Sequence, residues 1–94
     1  MIFEWDENKN RINKAKHGVS FDAVKMVFFD TYCITRFDRV EDDEDRWHTL
    51  GQVNGVLMFL VVHTTQYNNQ TEIIRIISAR RPNRYERRLY ESRK

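Results

Sequence analysis

The dipeptide Asn54-Gly55 constrains the fold of this chain more than any other feature of its sequence. Both residues tolerate positive φ angles, so the pair favours a tight turn between two antiparallel strands. The flanking segments, residues 47–53 and 56–64, are rich in apolar and β-branched side chains. The second segment is apolar without alternation, which predicts a central strand that is covered on both faces. A β-hairpin therefore stands at the centre of the predicted fold.

Further strand signals extend this hairpin into a sheet. Strands are predicted over residues 2–5, 32–37 and 72–80, where apolar, aromatic and β-branched residues are concentrated. The acidic segment 38–45 is predicted to be a loop, and the polar segment 65–71 a turn. We expect an α+β domain with the order β-α-α-β-β-β-α, in which helices pack on a small antiparallel sheet. At 94 residues the chain is expected to form one domain, residues 1–94.

The helices are marked by their capping residues. Asp6 is predicted to cap a first helix that is mostly exposed and ends at Gly18, a residue that readily adopts the left-handed conformation. Ser20 is predicted to cap a second helix, whose apolar stripe makes it a core element. Asn83 and Glu86, three residues apart, are typical of the reciprocal cap of a third helix, which is basic and carries the chain to its end.

The net charge of +2 conceals a strong segregation of charge along the chain. Residues 36–46 contain six acids against three arginines, whereas residues 75–94 contain eight basic residues against two acids. Asymmetry of this kind indicates a polyanionic partner, with nucleic acid as the first choice. No apolar run approaches the roughly 20 residues that span a membrane, and no signal region is present, so we expect a cytoplasmic protein.

Several kinds of chemistry have no support in the sequence. A single cysteine, Cys33, excludes an internal disulfide and a zinc site built on cysteine pairs, and it is expected to be a small buried residue within a strand. His17, His48 and His63 lack the spacing of a metal site, and the acidic segment lacks that of a calcium loop. Motifs for nucleotide cofactors and serine hydrolases are missing, so no cofactor is expected.

The arginines near the end of the chain are the residues best suited to bind phosphate, because arginine stays charged and binds phosphate in bidentate geometry. Arg75 interrupts an isoleucine-rich strand, so it must reach a partner or an open site. Strand alternation, if no bulge intervenes, puts Arg75 and Arg81 on one face and Arg80 on the other. The arginines of the last helix are explained equally well by a solvated surface and by phosphate contact: Arg84, Arg87 and Arg88.

Two explanations stay open for His17. A cation near the C-terminal end of the first helix interacts favourably with the helix dipole. A histidine is also suited to proton transfer, as a general acid or base. Among the tyrosines, Tyr85 is expected to lie in the core, whereas Tyr90 is expected to be less buried and could donate a phenolic hydrogen bond.

Four strings of sequence together resemble the BrnT family: FEWDENKN, KHGVSF, RIISARR and ERRLYE, in this order over nearly the whole chain. Members of that family are bacterial toxins of type II toxin–antitoxin pairs, with a fold similar to the RelE toxins. The resemblance implies an endoribonuclease that needs no metal ion and inhibits translation by cutting RNA. It also implies a partner antitoxin of the BrnA type, whose ribbon-helix-helix part binds DNA, so that the toxin meets DNA only indirectly.

The resemblance also implies a set of site residues, carried over by matching position. The recurrent polar residues of the family fall on Lys16, His17, Glu44, Arg46, Arg75, Ser78, Arg80, Glu86 and Tyr90. Metal-free RNA cleavage needs a base for the 2′-OH proton, cations for the phosphorane and an acid for the leaving 5′-oxygen. His17 or Glu44 is then the base, Tyr90 or His17 the acid, and the phosphate is held by Arg46, Arg75 and Arg80. Further RNA contacts are expected from Lys16, Arg81, Arg84 and Arg88.

One position departs from the family pattern. Many members carry an arginine shortly after the central strand, in a Thr-x-Arg setting, where this chain has Thr64, Thr65 and Gln66. If that arginine contributes to catalysis, this protein is slower or uses another cation. The alternative to a ribonuclease is therefore a non-catalytic module of the same fold that binds nucleic acid or protein. A DNA-binding regulator is disfavoured because the chain has no clean helix-turn-helix.

Overall fold

The computed structural model describes residues 1–93, and its framework is a five-stranded sheet. The strands lie in the order β1-β5-β4-β3-β2, with bounds β1 (Ile2–Trp5), β2 (Ile34–Glu41), β3 (Glu44–Val53), β4 (Leu57–Asn68) and β5 (Thr71–Arg80). The helices are α1 (Glu7–His17), α2 (Phe21–Val24) and α3 (Arg84–Arg93), and α2 continues directly into a 3-10 helix (Lys25–Phe29). The predicted α+β class is confirmed.

Two details of the predicted topology are wrong. Four strands follow the helices, at the four ranges predicted for them, so the order is β-α-α-β-β-β-β-α; the predicted order β-α-α-β-β-β-α left one of these strands out. The sheet is mixed and not purely antiparallel, because β1 pairs in parallel with β5. β1 pairs with the last strand of the chain and not with β2, its neighbour in sequence. No hairpin turn therefore fixes its direction.

Three tight connections join the last four strands. The predicted turn at Asn54 and Gly55 is confirmed, with φ angles of 56° and 68°. The acidic segment 38–45 is not a loop: β2 and β3 run through it and meet at Asp42 and Asp43, whose φ angles are 54° and 60°. Likewise β4 and β5 extend through most of segment 65–71, and they turn at residues 69–70. Aspartate and asparagine tolerate the left-handed region, which allows these longer hairpins.

The predicted caps are confirmed. The Asp6 carboxylate accepts hydrogen bonds from the backbone N–H groups of Asn8 and Lys9 at 2.7 and 3.2 Å, and α1 ends at Gly18, with a φ of 75°. The Ser20 hydroxyl accepts from the N–H of residue 23 at 3.3 Å. Asn83 and Glu86 exchange backbone-to-side-chain hydrogen bonds of 2.8 and 2.9 Å at the start of α3. Each cap satisfies backbone donors that a helix start leaves unpaired.

The sheet has two faces with different coverings. The main core lies on the face that packs against α2 and the 3-10 helix, and we call this the core face. Its fully buried members are Phe21, Val24, Val27, Phe59, Val61, Ile74, Ile76 and Ala79. The opposite face, called here the α3 face, has a smaller buried cluster of Leu50, Met58, Leu60 and Tyr90. Because α3 is short, it leaves the rest of this face uncovered.

α1 is held to the edge of the sheet by a buried asparagine. The side chain of Asn13 donates to the backbone carbonyl of Ala79 at 2.9 Å and accepts from its N–H at 3.1 Å. β1 pairs with β5 only as far as Ile76, so Asn13 completes the pairing of the β5 edge beyond that point. Within residues 1–93, no helix is long and apolar enough to cross a membrane.

Three predictions about single side chains are wrong. Tyr85 is 69% exposed on the outer side of α3, whereas Tyr90 is completely buried beneath it. Helical periodicity cannot distinguish these two tyrosines, because the helix can be rotated to bury either one. Cys33 precedes β2 and is only half-buried. Burial, and secondly the charge of Asp30, raise the pKa of its thiol.

Candidate active site

A β-bulge in β5 decides which arginines share a face of the sheet. Val62 of β4 pairs with Ser78, but His63 pairs with Ile76, so Ile77 has no partner across the ladder. The extra residue reverses the alternation of side chains beyond it. Arg75 lies opposite Thr64 and Arg80 opposite Leu60, four residues apart on β4, so both arginines lie on the α3 face. The separation of Arg75 from Arg80 by simple alternation is therefore wrong for this strand.

Glu44 joins two arginines at the uncovered end of the α3 face. Its carboxylate lies 2.5 Å from the Arg75 guanidinium and 3.6 Å from that of Arg46. Arg46 is only 6% exposed and forms a further ion pair with Glu41 at 3.0 Å. β3 places Glu44 and Arg46 two residues apart, which puts both on the same face. The structure thus brings together three of the predicted site residues.

Arg46 also has a buried donor without an acceptor. Its Nε is the one buried side-chain nitrogen or oxygen among residues 1–93 that has no hydrogen-bond partner. An unsatisfied buried donor costs about 1–3 kcal/mol. Such donors are rare in folded proteins, and a catalytic role is one reason for them. Arg46 therefore keeps unused hydrogen-bonding capacity beside Glu44 and Arg75.

Arg80 is paired with Glu86 where α3 meets the sheet. Two parallel hydrogen bonds of 2.9 Å join the two side chains, and the same carboxylate caps α3. The hydrogen bonds from Arg80 lower the pKa of Glu86, and those to Glu86 raise the pKa of Arg80. The pair fixes the guanidinium at the inner border of the uncovered surface, with 38% of the Arg80 side chain exposed.

His48 lies on the same face, although sequence reasoning did not select it. Its Nε2 lies 3.2 Å from a carboxylate oxygen of Asp38. It lines a small cavity of about 110 Å³ between α3 and the sheet, with Arg36 and Glu86 as the other polar residues. The sequence did carry a signal, because strand alternation on β3 groups His48 with Glu44 and Arg46. We call the polar group on the α3 face the polar strip; it consists of Arg36, Glu44, Arg46, His48, Arg75 and Arg80, of which Arg46 is buried.

His17 and Lys16 lie around the edge of β5 from the polar strip. Both line a groove of about 250 Å³ between α1 and the bulge, together with Ile77 and Ser78. Ser78 pairs with Val62 in the middle of the sheet, so it lies between this groove and the polar strip. His17 is therefore adjacent to the strip through Ser78, and neither Arg75 nor Arg80 lines its groove.

Four predicted residues lie away from the strip. Tyr90 is buried, and its hydroxyl donates to Asp30 at 2.5 Å, so burial and this hydrogen bond raise its pKa strongly. Arg81 lies 5.4 Å from the ring centroid of Phe59, which belongs to the core face. Arg84 and Arg88 are exposed on α3.

Gln66 occupies the border of the strip. It lines a small pocket of about 100 Å³ with Thr64, Glu44 and Arg75. The position at which many BrnT proteins carry arginine thus lies beside the Glu44–Arg75 ion pair. In residues 1–93, no three histidine, cysteine, aspartate or glutamate side chains are grouped in a way that could hold a metal ion.

Comparison with known proteins defines the class to which this fold and site belong. Residues 5–86 match the family model described as "Ribonuclease toxin, BrnT, of type II toxin-antitoxin system", so the class is that of ribonuclease toxins. Within this class, the chain belongs to the BrnT family. The resemblance seen in the sequence, and with it the prediction of a ribonuclease, is confirmed.

The fold is also similar to that of a solved structure. The crystal structure of the ribonuclease toxin BrnT from Brucella abortus, at 1.1 Å resolution, superposes with a TM-score of 0.63. The match covers 89% of this chain and 100% of that one, with 23% sequence identity. At this level of identity the match supports the shared fold. No protein with a curated functional description matches this sequence significantly.

Proposed function

We propose that this toxin cleaves RNA on the polar strip without a metal ion, and that this cleavage inhibits translation. The observation that carries the proposal is that Arg75 and Arg80 share one face of the sheet, with Glu44 and Arg46 beside Arg75. Guanidinium groups bind phosphate oxygens in bidentate geometry and stabilise the extra negative charge of a phosphorane. An open strip also fits a long, flexible substrate such as single-stranded RNA.

The carboxylates beside the arginines act as positioning groups in this proposal. In the free protein Arg75 is bound to Glu44 and Arg80 to Glu86, yet 43% and 38% of their side chains stay exposed. A guanidinium has five N–H donors, so each arginine can keep its carboxylate and still donate to a phosphate. Glu44 holds Arg46 and Arg75 at once, which fixes two cations around one point.

Proton transfer in the proposed reaction involves His17. We propose that it donates a proton to the leaving 5′-oxygen, from its place beside Ser78 at the border of the strip. Tyr90 is not suited to this step, because its hydroxyl is buried and donates to Asp30. Lys16, Arg84 and Arg88 are exposed and extend the positive surface along the path of the RNA.

The family match implies an antitoxin partner, and we propose one of the BrnA type. Such an antitoxin would have a ribbon-helix-helix part that binds DNA, so that the toxin would reach DNA only through its partner. The segment that contacts the toxin should be acidic or amphipathic, because it has to cover a surface rich in arginine. We propose that both proteins act in the cytoplasm, where the RNA targets are found.

Expression of the toxin alone in bacteria tests the proposal. We expect growth arrest with loss of RNA, and relief of both by Arg75→Gln and by Arg80→Gln. Arg11→Gln is the matched control, since Arg11 is an exposed arginine of α1 that lines neither the strip nor the groove. Arrest that survives both strip substitutions would place the active site elsewhere.

A non-catalytic binding module is the second candidate, and Gln66 is the observation that favours it. Gln66 stands beside Arg75, where many family members have an additional cation. Well-expressed, folded protein that arrests neither growth nor RNA accumulation would support this candidate. Gain of RNA cleavage by Gln66→Arg would then identify the missing cation as the cause.

A further inference from the structure

We infer that His48 is the second proton-transfer residue of the reaction, opposite His17, and that Asp38 positions it. The inference rests on the proposed cleavage of RNA on the polar strip. It adds a residue for which the predicted set has no good candidate. Glu44 is the other predicted base, but its carboxylate is held between two guanidiniums, so it is not free to accept the proton of a 2′-OH.

The register of the sheet places His48 in the row that crosses the middle of the strip. Arg36 pairs with His48, His48 with Val62, and Val62 with Ser78. Neighbouring strands lie about 4.8 Å apart, so His48 and Ser78 are separated by about 10 Å across Val62. His17 lines the groove on the far side of Ser78. The two histidines therefore lie on opposite sides of Val62.

The arginines border the same central position. Along β4, the same-face neighbours of Val62 are Leu60 and Thr64, each about 6.7 Å away. Arg80 lies across from Leu60, and Arg75 lies across from Thr64. A phosphate above Val62 would thus have a cation towards each end and a histidine on each side. This arrangement suits the in-line attack of RNA cleavage, in which base and acid act on opposite sides of phosphorus.

A second β-bulge aims Asp38 at His48. The register of β2 and β3 shifts between Phe37, which pairs with Trp47, and Arg39, which pairs with Arg46, and Asp38 is the extra residue. Bulges often redirect a side chain next to an active site. A carboxylate bound to one ring nitrogen orients the imidazole, stabilises its protonated form and leaves the other nitrogen for the substrate.

Several charged groups lie around His48. From β2 these are Arg36 and Asp38, and from α3 it is Glu86, which lines the same cavity. His63 of β4 lies on the core face and is coupled to His48 electrostatically. Both carboxylates also bind arginines: the same Asp38 oxygen lies 2.5 Å from Arg39, and Glu86 is paired with Arg80.

In the proposed reaction each proton has a donor and an acceptor. The 2′-oxygen attacks phosphorus while His48 takes the 2′-OH proton, and a new P–O2′ bond forms. The P–O5′ bond breaks, and the 5′-oxygen receives a proton from His17. The products are a 2′,3′-cyclic phosphate and a 5′-hydroxyl, with His48 protonated and His17 neutral. Exchange of protons with water restores both histidines for the next turnover.

Cleavage of a defined RNA oligonucleotide by purified His48→Gln tests this role. We expect kcat to fall by about 100-fold or more, with KM little changed, because proton transfer contributes about 10²–10⁴-fold to such reactions. The acidic limb of the pH–rate profile should also disappear, since a base must be deprotonated to act. Free imidazole should restore cleavage to His48→Ala, which a purely structural loss would not permit.

Controls separate the possible outcomes. Asp38→Asn should lower kcat, whereas Asp22→Asn, at an exposed aspartate that is ion-paired with Lys25, should leave kcat unchanged. Far-UV circular dichroism and binding of a 2′-O-methyl RNA verify that the His48 variants are folded. Wild-type kcat and an intact acidic limb in His48→Gln, while Arg75→Gln is inactive, would overturn the role of His48 alone. Full activity of Arg75→Gln would overturn the proposed site itself.

Discussion

The burial of His63 predicts that the folded protein loses stability in mild acid. Its side chain is 2% exposed, and its Nε2 is hydrogen-bonded to the hydroxyl of Thr49 at 2.7 Å. The ring also packs edge-to-face against Phe28, with 4.9 Å between the ring centroids. Burial lowers its pKa from 6.5 to about 4, because the folded protein cannot solvate an imidazolium at this position.

The direction and the size of the effect follow from proton linkage. The unfolded chain binds a proton at His63 near pH 6.5, whereas the folded chain binds it only near pH 4. The contribution of neutral His63 to the free energy of unfolding is therefore complete above pH 6.5 and is lost as the pH falls from 6.5 towards 4. A pKa shift of this size changes the free energy of unfolding by about 3 kcal/mol in full, and about 2 kcal/mol of this is lost at pH 5.

Urea unfolding followed by tryptophan fluorescence at pH 7.5 and pH 5 measures this loss. The fall in the free energy of unfolding between the two pH values should be about 2 kcal/mol smaller in His63→Gln than in wild type. His17→Gln, at an exposed histidine, is the matched control and should keep the wild-type difference. If His63→Gln shows the same dependence on pH as wild type, the buried neutral histidine is not its cause.

Three further substitutions test the packing that positions the strip. Asn13→Leu leaves the backbone N–H and C=O of Ala79 without partners, so the free energy of unfolding in urea titration should fall by about 2–4 kcal/mol. A fall of less than about 0.5 kcal/mol would contradict the anchoring role of Asn13. Gly51→Ala adds a Cβ 2.9 Å from a methyl group of Val27, so the free energy of unfolding in the same titration should fall by about 1–3 kcal/mol. Unchanged stability would show that the side chain of Val27 can move to make room. Glu86→Gln weakens both the cap of α3 and the bidentate pair, so the melting temperature should fall by several degrees, and an unchanged value would show that neither interaction stabilises the fold.

Local signals predicted much of this fold. Asp6, Ser20 and Asn83 mark helix starts because a short polar side chain pairs with free backbone N–H groups in any surroundings. Asn54-Gly55 marks a turn for a similarly local reason, since both residues accept positive φ angles. These predictions depend on a few neighbouring residues, and they are confirmed.

Features that depend on pairing across the sheet could not be predicted. The bulges at Asp38 and Ile77 leave no glycine or proline signal, yet they decide that Asp38 faces His48 and that Arg80 shares a face with Arg75. The acidic hairpin was predicted to be a loop because isolated carboxylates disfavour strands. In the structure, Arg46 offsets this cost by pairing with Glu41 and Glu44. No simple sequence pattern indicates these pairs.

The residues of the candidate site divide in the same way. The arginines of β5 could be selected from the sequence because charge within an apolar strand is costly and demands a partner. His48 was not selected, because strand alternation groups it with Glu44 and Arg46 only if β3 runs into the acidic segment, which was predicted to be a loop. Tyr90 was chosen by resemblance, and only the packing of α3 shows that its hydroxyl is turned into the core.

The initial rate at which purified protein cleaves a single-stranded RNA oligonucleotide tests the central claim most directly. Arg75→Gln and Arg80→Gln should each lower the rate by about 100-fold or more, as expected for loss of a group that stabilises transition-state charge. Arg11→Gln should cleave at the wild-type rate. Wild-type cleavage by both strip variants, with folded protein in each case, would contradict the placement of the active site on the polar strip.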